Sequence, residues 1–182
     1  MSRKYKVRDN TKLYFVTTTI VNWIDVFTRR HYKDIVVDSL RHCIREKGLE
    51  VYAYCLMTNH IHVIVGTHKN PIDAIMRDMK RHTAKALYEA IDQDVMESRR
   101  DWLLWFFQRA GRQNSSNNGY QIWQQGFHPI ELSSNEAIDQ KVEYIHQNPV
   151  KAGFVDEPEH YLYSSASNYS GSPGLLPVIL LY

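Results

Sequence analysis

The order of hydrophobic patterns along the chain predicts an α+β fold, a ferredoxin-like antiparallel sheet with helices packed on one face. Three observations lead there. Runs rich in β-branched residues interleave with amphipathic stretches in the order strand, helix, strand, strand, helix, strand. The two central strands are parted by little more than the turn-prone Thr58 and Asn59, which makes them a hairpin. At 182 residues, with no internal repeat and no long low-complexity linker, the chain reads as one domain able to bury its own core.

Taken in order, "KLYFVTTTIV" is rich in β-branched and aromatic residues and forms the first strand. "RRHYKDIVVDSLRHCIREKG" follows as a helix: Tyr32, Ile35, Val36, Leu40 and Cys43 recur at helical spacing, and Gly48 supplies a left-handed stop. "LEVYAYCLM" and "HIHVIV" are the hairpin strands. "NPIDAIMRDMKRHTAKALYEAI" is the second long helix, with Asn70 read as N-cap and Pro71 as its first residue. Ile72, Ile75, Met76, Met79 and Leu87 line its apolar face.

A third helix is expected within "DVMESRRDWLLWFFQRAGR", packing through Trp102, Leu103, Phe106 and Phe107. "QNSSNNG" is a polar loop, and "YQIWQQGFHPIEL" a short extended segment interrupted at Gly126 and Pro129. The last helix begins in "SSNEAIDQKVEYIHQN", where Ser133 and Glu136 have capping-box spacing. Ile138, Val142 and Ile145 form its buried stripe, and Pro149 is the expected stop. Irregular segments and an apolar tail follow.

Hydrophobic residues make up 43% of the chain and charged residues 23%, an ordinary globular balance. A net charge of +2 excludes a bulk polycation, so affinity for nucleic acid would rest on local placement of charge. Cys43 and Cys55 form no CxxC pair, which argues against a disulfide framework or a structural zinc cluster and fits a reducing cytosol. No apolar h-region follows the N-terminus, and the greasiest stretch, "GLLPVILLY", is too short to span a bilayer. A cytoplasmic protein with no membrane attachment is expected.

Chemistry concentrates in two places. "MTNHIHVIV" sets His60 and His62 two apart on a strand, so both rings share a face while Ile61, Val63 and Val65 take the other. Two such imidazoles can ligate one divalent ion but cannot complete its shell; the plainer reading is a pair of hydrogen-bonded strand residues. Tyr144, in "VEYIHQNPVKAGFV", lies about 100° off the Ile138–Val142–Ile145 stripe, so the helix core does not need it. Asn148 follows one turn later on roughly the same side.

Together these suit a phenol nucleophile and a carboxamide third metal ligand. A half-buried packing tyrosine is the ordinary alternative, and Pro149 weakens the ligand role by placing Asn148 at a helix end. A phenol with its usual pKa of about 10 is a poor nucleophile unaided. A metal on two imidazoles could help by polarising a phosphoryl oxygen, so the set is coherent for attack on a phosphodiester.

Arg77, Arg81 and Lys85 recur every four residues, with Lys80 beside them. A solvated helix face is the ordinary account of such a row, and contact with a phosphate backbone the functional one. Aromatics, at 12% of residues, offer surfaces for stacking on unpaired bases. His128 and Glu131 in "FHPIEL" add polar groups without a defined role. There is no Gly-rich phosphate loop, no G-x-S-x-G elbow and no H-E-x-x-H, which removes several common hydrolase classes.

"NHIHVIV", "YIHQNPVKAGFV" and "EPEHYLYSSASNYSG", in that order, resemble the single-tyrosine HUH transposases, and within them the REP-associated tyrosine transposase branch. The likeness runs from "YFVTTTIVNWIDVFT" nearly to Gly171, which sets a catalytic domain at residues 1–171 and a C-terminal tail at 172–182. The resemblance implies a ferredoxin-like HUH endonuclease domain acting on single-stranded or hairpin DNA. It implies that His60 and His62 bind Mg²⁺ or Mn²⁺, with Asn148 at the position of a third, amide ligand. It implies that Tyr144 attacks the scissile phosphate, joins the 5′ phosphate to the protein and frees a 3′ hydroxyl. Only one such tyrosine is present; Tyr161, Tyr163 and Tyr169 fall outside the helix. Two features depart from the pattern, the insert from about Asp92 to Asn118 and the apolar tail, and both leave a homodimer open. Two other readings stand beside this one: a ferredoxin-like module that holds nucleic acid without cutting it, and a metal-dependent hydrolase in which Tyr144 only orients substrate.

Overall fold

Alternating and β-branched residues build three of the four strands where the sequence places them. The computed structural model describes residues 6–113 and 119–181; most of the expected polar loop, residues 114–118, lies outside the described residues. β1 (Leu13–Thr19), α1 (Arg30–Lys47), β2 (Leu49–Leu56), β3 (His60–Thr67) and α2 (Ile72–Gln93) follow in order. α3 (Arg100–Arg112), β4 (Ile130–Leu132), α4 (Asn135–Lys151) and the short α5 (Ala166–Tyr169) complete the chain. The sheet runs β2-β3-β1-β4 with every neighbour antiparallel, the α+β arrangement expected from the element order.

Register decides what each face carries. Across β1 and β3, Thr19 pairs with His60, Thr17 with His62 and Phe15 with Ile64, so these side chains share one face. Val16, Ile61, Val63 and Val65 take the other and are buried beneath α1 and α2, which pack on each other. α4 is the exception to the one-sided helical layer: it crosses the histidine face, where Tyr144 meets Phe15 and His62.

Helix ends correct several sequence expectations. Gly48 does terminate α1, at φ +74°, and its N–H donates to the Cys43 carbonyl. α2 begins one residue later than expected, at Ile72, with Pro71 as its cap residue. Asn70 supplies no cap, because its amide donates to the Lys47 carbonyl; the Ile72 N–H is met instead by Asn10 Oδ1 at 3.0 Å. Ser134, not Ser133, caps α4 by accepting from the Ala137 N–H at 3.2 Å. Pro149 does not stop α4, which runs on to Lys151 with Pro149 buried inside it. Burial against the domain offsets the one helix hydrogen bond that proline cannot make.

The stripe expected on α3 is half right. Leu103 and Phe107 are fully buried, but Trp102 is 49% exposed and Phe106 only partly covered. α3 docks closely on the following segment because Gly111 has no side chain: a Cβ there would lie 2.4 Å from Tyr120 Cα.

Residues 163–165 and the tail together cover the free edge of β2. Leu56 N–H donates to the Tyr163 carbonyl, Ser165 N–H to the Tyr54 carbonyl and Ile179 N–H to the Val51 carbonyl, each at 2.9 Å. Leu176 is buried in the core. An otherwise open sheet edge is thereby closed. Among the described residues no helix is long and apolar enough to cross a membrane.

Candidate active site

The two imidazoles sit side by side at the start of β3, their ring centroids 4.6 Å apart. His60 is tautomerically fixed by its neighbour. Asn59 Nδ2 donates to the Trp23 carbonyl at 3.1 Å and to Asp25 Oδ1 at 2.9 Å, which turns Asn59 Oδ1 toward His60 Nδ1 at 2.6 Å. An amide oxygen only accepts, so His60 Nδ1 carries the proton and Nε2 keeps its lone pair. His62 Nδ1 lies 2.8 Å from Thr17 Oγ1. Where that nitrogen donates to the hydroxyl, His62 Nε2 is in the same state.

His62 is only 6% exposed. Burial lowers its pKa to about 3, and the neighbouring His60 and Lys141 push the same way. His60 is lowered too, chiefly by burial, with Asp25 opposing. Both rings are therefore neutral near pH 7, the form that binds a metal ion.

α4 delivers the phenol. Ile145 is fully buried and seats the helix; Tyr144, one residue earlier, is 40% exposed at the face of the sheet. Its Oη lies 3.5 Å from His62 Nε2, a long contact with room to tighten, and its ring stands edge-on to His62 at 5.2 Å and to Phe15 at 6.0 Å. One chain contributes both groups. Lys141, one turn before Tyr144, holds its ammonium 5.2 Å from the Tyr144 ring centroid and 4.7 Å from that of Phe15. Asn148 lies one turn after; its Nδ2 donates to the Tyr144 carbonyl at 2.7 Å, so its Oδ1 is the atom with lone pairs to offer.

The basic row lies apart from this cluster, on α2 across the sheet. Arg81 and Arg77 both approach Asp78, and Lys85 lies 3.8 Å from Glu89. Lys80 is placed differently. Its ammonium donates to the Gln124 and Gly126 carbonyls, and burial lowers its pKa to about 8. Lys80, Arg81 and Lys85 border a groove of about 1100 Å³ between α1, α2 and residues 120–125.

Sequence reasoning missed Thr17, Asn59, Lys141 and Trp23. The Asn-His-x-His spacing is a usable signal for Asn59, and Lys141 stands one helical turn from Tyr144. Thr17 could be found only from the β1–β3 register.

The fold and this cluster define a class: an α+β domain whose sheet presents two neutral imidazoles to a phenol carried by a separate helix. A family model described as "Transposase IS200 like" matches residues 10–105, and the chain belongs to that family of transposases. Among solved structures, a REP-associated tyrosine transposase bound to a REP hairpin matches with a TM-score of 0.63 at 16% identity, over 98% of this chain and 92% of that one. It shares the fold. A Deinococcus radiodurans R1 protein described as a candidate transposase matches with a TM-score of 0.45 at 18% identity, over 80% of this chain and 94% of its own. No curated protein sequence matches the chain.

Proposed function

We propose that this transposase cleaves and rejoins single-stranded or hairpin DNA through Tyr144, with a divalent metal held by His60, His62 and Asn148. The observation that carries the reading is the 3.5 Å approach of Tyr144 Oη to His62 Nε2 within one chain. The approach sets the phenol beside the imidazole nitrogen that would carry the metal, and so beside a phosphoryl oxygen the metal would polarise.

The donor set fits a hard divalent cation. Two neutral imidazoles offer Nε2 lone pairs and the Asn148 amide offers an oxygen. Asn148, one helical turn from Tyr144 on α4, would be the third protein ligand. That leaves coordination for phosphate and water, as Mg²⁺ or Mn²⁺ prefers. When bound, the metal supplies Lewis-acid polarisation of a phosphoryl oxygen.

The chain's own residues do the rest. Tyr144 Oη forms the new bond to phosphorus as the P–O3′ bond breaks; the phenolic proton leaves to solvent, and the departing 3′ oxygen takes a proton from solvent to become a hydroxyl. The 5′-phosphotyrosine conserves the bond, so attack by a 3′ hydroxyl on the same phosphorus reverses the step. Lys141 provides positive charge beside the phosphate. Arg77, Arg81 and Lys85 contact the DNA backbone away from the cut, Arg81 and Lys85 along the groove on the other side of the sheet. Lys80, beside them in the groove lining, joins that contact with its ammonium bonded to the Gln124 and Gly126 carbonyls. Residues 1–171 form the catalytic unit, and the tail adds to the cover of the β2 edge through Ile179.

Incubation with a labelled single-stranded oligonucleotide and Mn²⁺ tests this. A covalent protein–DNA band that disappears in Tyr144→Phe is expected. Cleavage without an adduct would mean a hydrolase in which Tyr144 only orients substrate, and retention without cleavage would mean a binding module.

A further inference from the structure

Trp23 is a large apolar side chain left 59% exposed at the edge of the histidine site. Its backbone is held where tryptophan rarely goes: φ is +59° at Trp23 and +53° at Asn22, two successive left-handed residues with no glycine between them. Such backbone costs free energy and persists only where surrounding contacts over-determine it. Those contacts are present. Asn59 Nδ2 bonds the Trp23 carbonyl and Asp25, and the same amide fixes His60. Val21 N–H donates to Ile122 and Phe27 N–H to Thr58, each at 2.8 Å, pinning both ends of the loop. Beyond it, Arg99 reaches from the inserted segment to the Asp25 carbonyl at 2.7 Å and to Thr28 Oγ1 at 2.9 Å. Arg99 is itself held by the buried Glu97.

The indole meets His60 edge-on, centroids 5.8 Å apart at 66°. Most of its surface stays open to solvent instead of folding onto the core. We propose that Trp23 is a stacking platform for an unpaired nucleobase next to the scissile phosphate. The occupant follows from position. A phosphate set against His60 and His62 carries its neighbouring nucleotide into reach of the Trp23 ring, and an exposed indole face takes any base by stacking. This deepens the proposed cleavage reaction and rests on the histidine pair marking the phosphate.

The test uses the full chain in the Tyr144→Phe background, where no strand is cut, with fluorescein-labelled dT20 and a 20-base-pair duplex as probes. Trp23→Ala is expected to weaken dT20 binding roughly 5- to 100-fold. Trp23→Phe should recover most of that loss, and duplex binding should change less than twofold. A dT20 strand carrying abasic residues should bind the parent and Trp23→Ala alike. Parental dT20 affinity in Trp23→Ala, an equal loss for strand and duplex, or no binding of dT20 by the parent each overturns the proposal. The readout is binding alone, so a wild-type chain that forms no covalent adduct would sink the cleavage reading and leave this comparison still decisive.

Discussion

At the residue scale, Asn59 and Thr17 lie against the Nδ1 atoms of the two histidines proposed as metal ligands. His60→Ala and His62→Ala are each expected to abolish Mn²⁺-dependent cleavage while leaving DNA affinity within a few-fold of the parent, measured by adduct formation and strand binding in parallel. Equal loss of binding would place the histidines in DNA contact instead. Asn59→Ala removes the group that orients His60 and should weaken Mn²⁺ affinity by about 10- to 100-fold, read by titration calorimetry. The HxH spacing announced this pair, because a period of two puts both rings on one face whatever the rest of the fold does. Its supports were not legible, since Thr17 and Asp25 meet the site only through register and a distant turn.

At the element scale, α2 and α4 behaved differently from what their sequence pattern implied. Arg77, Arg81 and Lys85, the row recurring every four residues, stay outside, while Lys80 beside them turns to two carbonyls. Spacing reports angle around a helix; it does not report what lies against it. If the outer three track a phosphate backbone, Arg81→Ala should weaken binding similarly across sequences. It should also flatten the slope of log K against log salt by about 0.7 for a single strand, measured by anisotropy between 50 and 200 mM salt. An unchanged slope would make the row a solvated face. On α4, proline's missing N–H predicts a stop at Pro149, but Pro149 sits buried within a helix that runs on to Lys151.

At the scale of the whole molecule, α4 is tied to the C-terminal segment through a buried histidine. His146 Nε2 lies 2.8 Å from Ser165 Oγ, and Ser165 in turn bonds the backbone of Tyr54 on β2. Burial lowers the His146 pKa to about 4. The unfolded chain therefore binds a proton that the folded one refuses between pH 6.5 and 4, so stability falls as pH drops through that window. Between pH 6.5 and 5 the loss from His146 should be roughly 1–2 kcal/mol, read as a lower urea midpoint in the metal-free protein. His146→Gln should remove that share of the slope. A slope identical in the variant would mean that His146 is not the group responsible.

The sequence by itself determined the elements and their order and offered His60, His62, Tyr144 and Asn148 as candidates, because hydrophobic period, turn chemistry and the His-x-His and Tyr-x-x-x-Asn spacings are local properties of the chain. Only tertiary structure decided that a phenol from α4 lies against an imidazole from β3, that Lys80 bonds two carbonyls, that an exposed indole stands beside His60, and that residues 163–165 and the tail cover the β2 edge. Each of these joins residues far apart in the chain through sheet register or side-chain burial, and no local pattern encodes a distance across a fold.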